Sequence, residues 1–262
     1  MIEKIVSNVL MNPWMLLSCV SLIMLLFAEA GYRFGAAKHR HESDSGDKQS
    51  GAIQGAVLGL LGLLLGFSFA MAVGRHDARR ALVTEEANSI GTTWLRADFL
   101  PEPHRHEVKG LLEKYTRLRI EGFRNADNPE AFIPLLKEVA EIHNKLWSHA
   151  TAAAAERPTP ITASFVTTLN ETIDLHAMRM AAGRNRVPVA VWLLLFVVAG
   201  CGACSSGFQS GAFGRRSFFN QLVFPGLIAI VITLISDIDN PRKGLVGMNQ
   251  QPMEELLESM QP

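Results

Sequence analysis

Apolar and charged positions in this chain are segregated rather than interleaved. Four long runs carry no Asp, Glu, Lys or Arg: between Lys4 and Glu29, between Lys48 and Arg75, between Arg186 and Arg215, and between Arg216 and Asp237. A bilayer core of about 30 Å takes roughly 20 helical residues, and a charge at its centre costs on the order of 3 kcal/mol. Buried helices of soluble proteins rarely hold such long uninterrupted apolar runs. The pattern therefore predicts four transmembrane helices, at about 10–32, 51–74, 187–208 and 217–237. Ala28-Glu29-Ala30 imitates the small-residue site of a secretory leader, but the stretch before it is longer than a leader core and scarcely basic, so it reads as a retained span.

Segment 75–186 reads as helical throughout: a continuation of the second span to about Leu100, then 103–124, 128–154 and 160–182. Pro101 and Pro103 close the first of these, Asn128-Pro129 opens the third, and Pro158-Thr159-Pro160 separates the third from the fourth. Apolar residues recur at helical spacing at Leu111, Leu112, Tyr115 and Leu118, and again at Leu135, Leu136, Val139, Ile142 and Leu146. No alternating strand pattern competes, so the fold class is all-α. The organisation is 1–74 with the first two spans, 75–186 as a cytoplasmic helical domain, 187–237 with the last two spans, and 238–262 as a cytoplasmic C-terminal segment. Loop 38–50 reads as a mobile connection. The last stretch sets Met253, Leu256, Leu257 and Met260 among glutamates, an amphipathic helix suited to docking on the helical domain.

Basic residues near the span ends number nine on the side of the inserted domain and six on the other, which favours a cytoplasmic domain. The 262 residues balance 25 basic against 25 acidic, which gives no footprint for nucleic acid. Cys19, Cys201 and Cys204 lie in apolar runs and behave as small hydrophobes. Histidines 39 and 41, 104 and 106, and 143 and 149 lack a carboxylate or thiol at ligand spacing and read as surface residues. Phosphate-binding glycine loops, nucleophile elbows, zinc motifs and intramembrane acidic pairs are absent from the sequence, which points away from an enzyme.

The second span carries Gly51, Gly55, Gly59, Gly62 and Gly66, five glycines along one helix face. Such a stripe suits tight helix packing, with pore lining or oligomer formation as the other reading. Leu65-Gly66-Phe67, then seven residues to Arg75, then Asp77-Ala78-Arg79-Arg80, resembles the end of the second transmembrane helix of bestrophins. Asp237-Ile238-Asp239-Asn240-Pro241 is similar to the acidic turn after their last span, and Gln250 to Met253 is similar to a C-terminal segment of the bacterial bestrophin-like family. The resemblance implies a homo-pentamer in a bacterial inner membrane, embedded in lipid and conducting small inorganic ions, anions in particular. Its second helices would line a pathway with a hydrophobic neck at Gly59, Leu63 and Phe67, Gly59 standing where a larger residue is usual. It also implies an inner mouth at Arg75, Arg79 and Arg80, residues that membrane topology alone would equally place there. Asp237 and Asp239 would correspond to a calcium cluster, though a thinner one; otherwise they cap the membrane end and pair with Arg242 or Lys243. The competing reading is a non-conducting membrane sensor or scaffold that binds a partner through its helical domain.

Overall fold

The structure is a computed structural model that describes residues 12–39, 47–214, 216–240 and 245–261, without side chains at 38, 39, 47–50 and 53. The described residues are almost entirely helical and form no strand. Helix α1 is Pro13–His39, α2 Asp47–Arg96, α3 His104–Arg124, α4 Pro129–Glu156, α5 Pro160–Arg184, α6 Val189–Ala212, α7 Phe224–Asp239 and α8 Gln251–Ser259. A 3-10 turn, Ala97–Phe99, ends α2, and a π turn, Phe219–Val223, leads into α7. Among the described residues, four helices are long and apolar enough to cross a membrane.

The helix starts follow from the prolines and their caps. The Asn12 side chain accepts from the Trp14 N–H at 3.0 Å, Asn128 from Glu130 at 3.2 Å and Thr159 from Thr162 at 3.2 Å, each beside a proline whose missing N–H costs nothing in a first turn. The π turn has a similar cause. Pro225 cannot donate to the carbonyl of Gln221, and a wider turn takes up the break.

Two boundaries differ from the sequence reading. Helix α1 runs to His39 rather than ending near 32, and α6 runs to Ala212 rather than 208. The end of the 38–50 segment is also helical, because α2 starts at Asp47; residues 40–46 lie outside the described residues, as do Lys4, Arg242 and Lys243.

The chain divides into two compact units, residues 1–75 with 186–247, and 76–185 with 248–262. In the first, α1 packs along α6 and also meets α7. Val20, Met24, Ala28, Leu195, Val198, Ala199, Ala203 and Ile232 form its core, joined by Leu61 of α2. The extra turns of α1 and α6 are explained by glycines. A β-carbon on Gly31 would stand 1.9 Å from the Cys204 carbonyl oxygen, and one on Gly35 2.1 Å from that of Phe208. Reciprocally, a β-carbon on Gly207 would stand 1.9 Å from the Ala28 oxygen and one on Gly211 2.2 Å from the Tyr32 oxygen. Two four-residue glycine spacings thus interlock, and contact between the two backbones replaces side-chain packing.

In the second unit, α3 packs on α4, α4 on α5, and α8 on α3. Tyr115, Phe165, Leu112, Leu146, Leu169 and Met253 fill the core. Met253 and Met260 are buried there, with Leu256 and Leu257 alongside.

Gly31→Ala and Gly207→Ala each force two backbones apart and should destabilise the purified protein by about 1–3 kcal/mol, read as a lower thermal midpoint in detergent. Gly62→Ala, whose β-carbon would meet nothing within 4 Å in its own chain, should leave the isolated subunit's midpoint unchanged or raise it.

Candidate functional site

Helix α2 buries one side in the first unit and leaves the other bare. Leu61, Ser68 and Ala72 recur at spacings of seven and four on the buried side. About half a turn away, Gly59 is exposed, Leu63 is 56% exposed and Phe67 62% exposed. Gly55, Gly62, Gly66, Ala70 and Gly74 continue that bare face. Added β-carbons on Gly55, Gly59, Gly62, Gly66 and Gly74 would meet nothing within 4 Å, and one on Gly51 only the Gln209 side chain at 3.8 Å. The five-glycine stripe therefore does not serve helix packing inside this chain; the glycines that do are those of α1 and α6. Side chains at 59, 63 and 67 share one face, drifting about 40° per four residues.

The three arginines expected at an inner mouth do different things. Arg79 is buried and donates to the carbonyls of Ala182 at 3.2 Å and Asn185 at 2.7 Å, closing the C-terminus of α5. Arg80 is exposed and lines a polar cleft of about 520 Å³ with Asp77, Thr84, Asn249, Gln251 and Glu255. Arg75 is half-buried in the first unit.

The two aspartates after the last span are both buried and both bind main chain. Asp239 accepts from the Val187 N–H through both oxygens, at 3.1 and 3.0 Å, and Asp237 accepts from the Val246 N–H at 3.0 Å. They fasten the segments that precede α6 and follow α7. Their expected partners Arg242 and Lys243 lie outside the described residues. Among the described residues, no group of three or more His, Cys, Asp and Glu is placed to hold a metal.

The sequence reading missed a buried ionic cluster in the second unit. Glu86 is 0% exposed and accepts from Arg119 through both oxygens, at 2.8 and 3.1 Å, from the Tyr115 hydroxyl at 2.6 Å and from Arg179. Arg179 also donates to Gln250 at 3.2 Å, which ties the C-terminal segment to the same carboxylate. The signal was present in the register: Glu86 sits three residues after Val83 and four before Ile90, both buried, where an apolar residue belongs. Burial first, then Glu86, holds the Tyr115 phenol well above its ordinary range, so it stays a neutral donor. His143 packs its ring 5.0 Å from Tyr115 and 5.1 Å from His176. Burial and then the Arg119 guanidinium lower its pKa to about 4.

Glu86→Gln strands two guanidiniums in the interior and should cost about 3–5 kcal/mol, seen as early unfolding of helical signal on heating. His143 is neutral when folded, whereas the unfolded chain takes up its proton near 6.5. The stability it supplies is therefore intact above pH 6.5 and drains away as the pH falls toward 4, by about 1–2 kcal/mol after allowance for the ring's partial exposure. Burial and then Arg119 lower His176 to about 4 as well, so His143→Phe, which keeps the ring stacked, should lessen the pH dependence of the thermal midpoint across that window, and His143→Phe with His176→Phe should flatten it.

Comparison with known proteins fits this architecture. The family model described as a Bestrophin-like domain matches residues 15–253. No curated protein matches the chain. Among solved structures, a single-residue variant of a bacterial bestrophin homologue from Klebsiella pneumoniae superposes with a TM-score of 0.64 at 15% identity, covering 90% of this chain and 97% of that one. A second structure of a bacterial bestrophin homologue from Klebsiella pneumoniae gives 0.64 at 14% identity, covering 95% and 96%. At these identities the likeness is one of fold, and it extends over nearly the whole of each chain. With four candidate spans and a family model that covers most of its length, this chain belongs to the Bestrophin-like family.

Proposed function

We propose that the protein is a homo-oligomeric ion channel, a pentamer in a bacterial inner membrane with its helical unit on the cytoplasmic side. The observation that carries this reading is the bare apolar face of α2. Leu63 and Phe67 expose more than half their surface and belong to neither hydrophobic cluster of the first unit, while Gly55, Gly59, Gly62 and Gly66 leave room for other backbones. Five copies of this face around an axis would bring one ring of side chains per turn from 59, 63 and 67. The ring at Gly59 is open, and those at Leu63 and Phe67 form the neck.

A ring of apolar side chains disfavours a continuous water column until the helices part, so the neck gates without a charged filter. Sign preference then arises elsewhere. Arg80, exposed on α2, raises local anion concentration, and Arg75 adds to the same potential. A proton-coupled transporter would place carboxylates, histidines or basic groups mid-span, and the runs that form these spans contain no Asp, Glu, His, Lys or Arg. Bestrophins are a channel family, and the chemistry of this reading requires no reaction centre.

Flux of chloride, sodium and potassium through purified protein in liposomes tests this directly. Leu63→Ala with Phe67→Ala should raise flux about tenfold or more by wetting the neck, and Arg80→Glu should lower the preference for chloride over sodium. Absence of flux from a correctly assembled oligomer under every gradient, and no change in the neck variant, would move the account to a membrane scaffold that binds partners through its helical unit.

A further inference from the structure

The second half of α1 and the π turn before α7 enclose a cleft that the conduction pathway does not use. Its cavity of about 310 Å³ is lined by Leu25, Glu29, Phe218, Gln221 and Leu222. Helix α1 begins at Pro13, so a span of roughly 20 residues ends near 32; Phe219 and Gln221 stand in the first turn of the last span. Glu29 and Gln221 thus sit together at the level where hydrocarbon gives way to headgroups.

The charges at that level do not balance. Glu29 accepts from Arg33 at 3.0 Å and from Arg216 at 3.4 Å, one carboxylate between two guanidiniums that are 78% and 62% exposed. Arg216 also lies over the Tyr32 ring at 4.6 Å, which fixes its plane. Arg33 engages Glu29 through its inner nitrogen, leaving its outer fork to face the headgroup layer. On the cleft wall, the Gln221 amide nitrogen is shielded from solvent and has no hydrogen-bond partner among the described residues. The rest of the lining apart from Glu29, namely Leu25, Phe218 and Leu222, is apolar.

We infer that this cleft is a phospholipid site: the phosphate is held by Arg33 and Arg216, a glycerol ester carbonyl accepts from the Gln221 amide, and an acyl chain lies along Leu25, Phe218 and Leu222. Each feature answers one part of such a molecule. The surplus positive charge matches the phosphate, with phosphatidylglycerol favoured over a zwitterionic lipid because the single charge of Glu29 offsets only one of the two guanidinium charges. The orphaned donor matches the ester carbonyl. The apolar floor matches the chain. This inference rests on the chain spanning a membrane and not on whether it conducts, so it survives a failure of the channel reading.

Native mass spectrometry of the full-length protein, purified in detergent and titrated with phosphatidylglycerol, tests it. One lipid per subunit should remain bound to the wild type. Arg33→Gln with Arg216→Gln should weaken retention about tenfold, with oligomer mass unchanged. Gln221→Leu alone should weaken it too, and serves if the double variant does not fold. Glycerol phosphate or inorganic phosphate should fail to displace the lipid. Equal retention by wild type and both variants, displacement by phosphate alone, or protection of the cleft by a neighbouring subunit in cross-linking would overturn the proposal.

Discussion

Everything in the first unit follows from the contact between α1 and α6. Inside a bilayer there is no hydrophobic drive to bring helices together, because lipid tails are as apolar as leucine; close approach of backbones has to supply the adhesion. Gly31, Gly35, Gly207 and Gly211 allow it, with the carbonyls of Cys204, Phe208, Ala28 and Tyr32 occupying the places where side chains would stand. With α1 and α6 locked to each other and α7 laid against α1, only one side of α2 is needed to complete the unit's core. Its other side, with Leu63 and Phe67, stays exposed in the single subunit.

The second unit is held by different physics. It has a densely packed helical core in which one fully buried carboxylate gathers two arginines, a tyrosine and, through Arg179 and Gln250, the C-terminal segment. A buried ion pair is a poor source of net stability, because desolvation offsets most of the attraction, but removing one member is costly. Such a cluster specifies arrangement more than it stabilises: α2, α3, α5 and the segment before α8 must all be in register for Glu86 to be satisfied. The aspartates at 237 and 239 act similarly in the first unit, where each turns a carboxylate toward a main-chain N–H that no helix serves.

Helix content was legible because four charge-free runs and three proline-marked breaks leave little alternative. Extents were less so. Helices α1 and α6 outrun the hydrocarbon thickness because their glycines keep them in contact, and thickness was the only ruler the sequence offered. The glycines that touch backbone within the chain are the two pairs on α1 and α6, which five glycines on α2 outweighed by number. Position 86 was legible in principle, since a glutamate in register with Val83 and Ile90 must be buried, but the adjacent Glu85 made the two look like ordinary solvated charge. The tasks of Arg79, Asp237 and Asp239 were not legible, because their partners are main-chain atoms of residues far away in sequence or beyond a turn. The neck positions drawn from the family resemblance do fall on one exposed face of one helix.

The central claim is that the bare face of α2 turns toward its own copies around a common axis. Spin labels at Leu63, introduced as a single cysteine after Cys19, Cys201 and Cys204 are replaced, would measure this by pulsed electron resonance on the assembled protein in lipid. A cyclic pentamer with this face inward predicts two short distances in the ratio of the side to the diagonal of a regular pentagon. A single distance, or labels too far apart to couple in a verified oligomer, would contradict it and place the face toward lipid or toward a different partner.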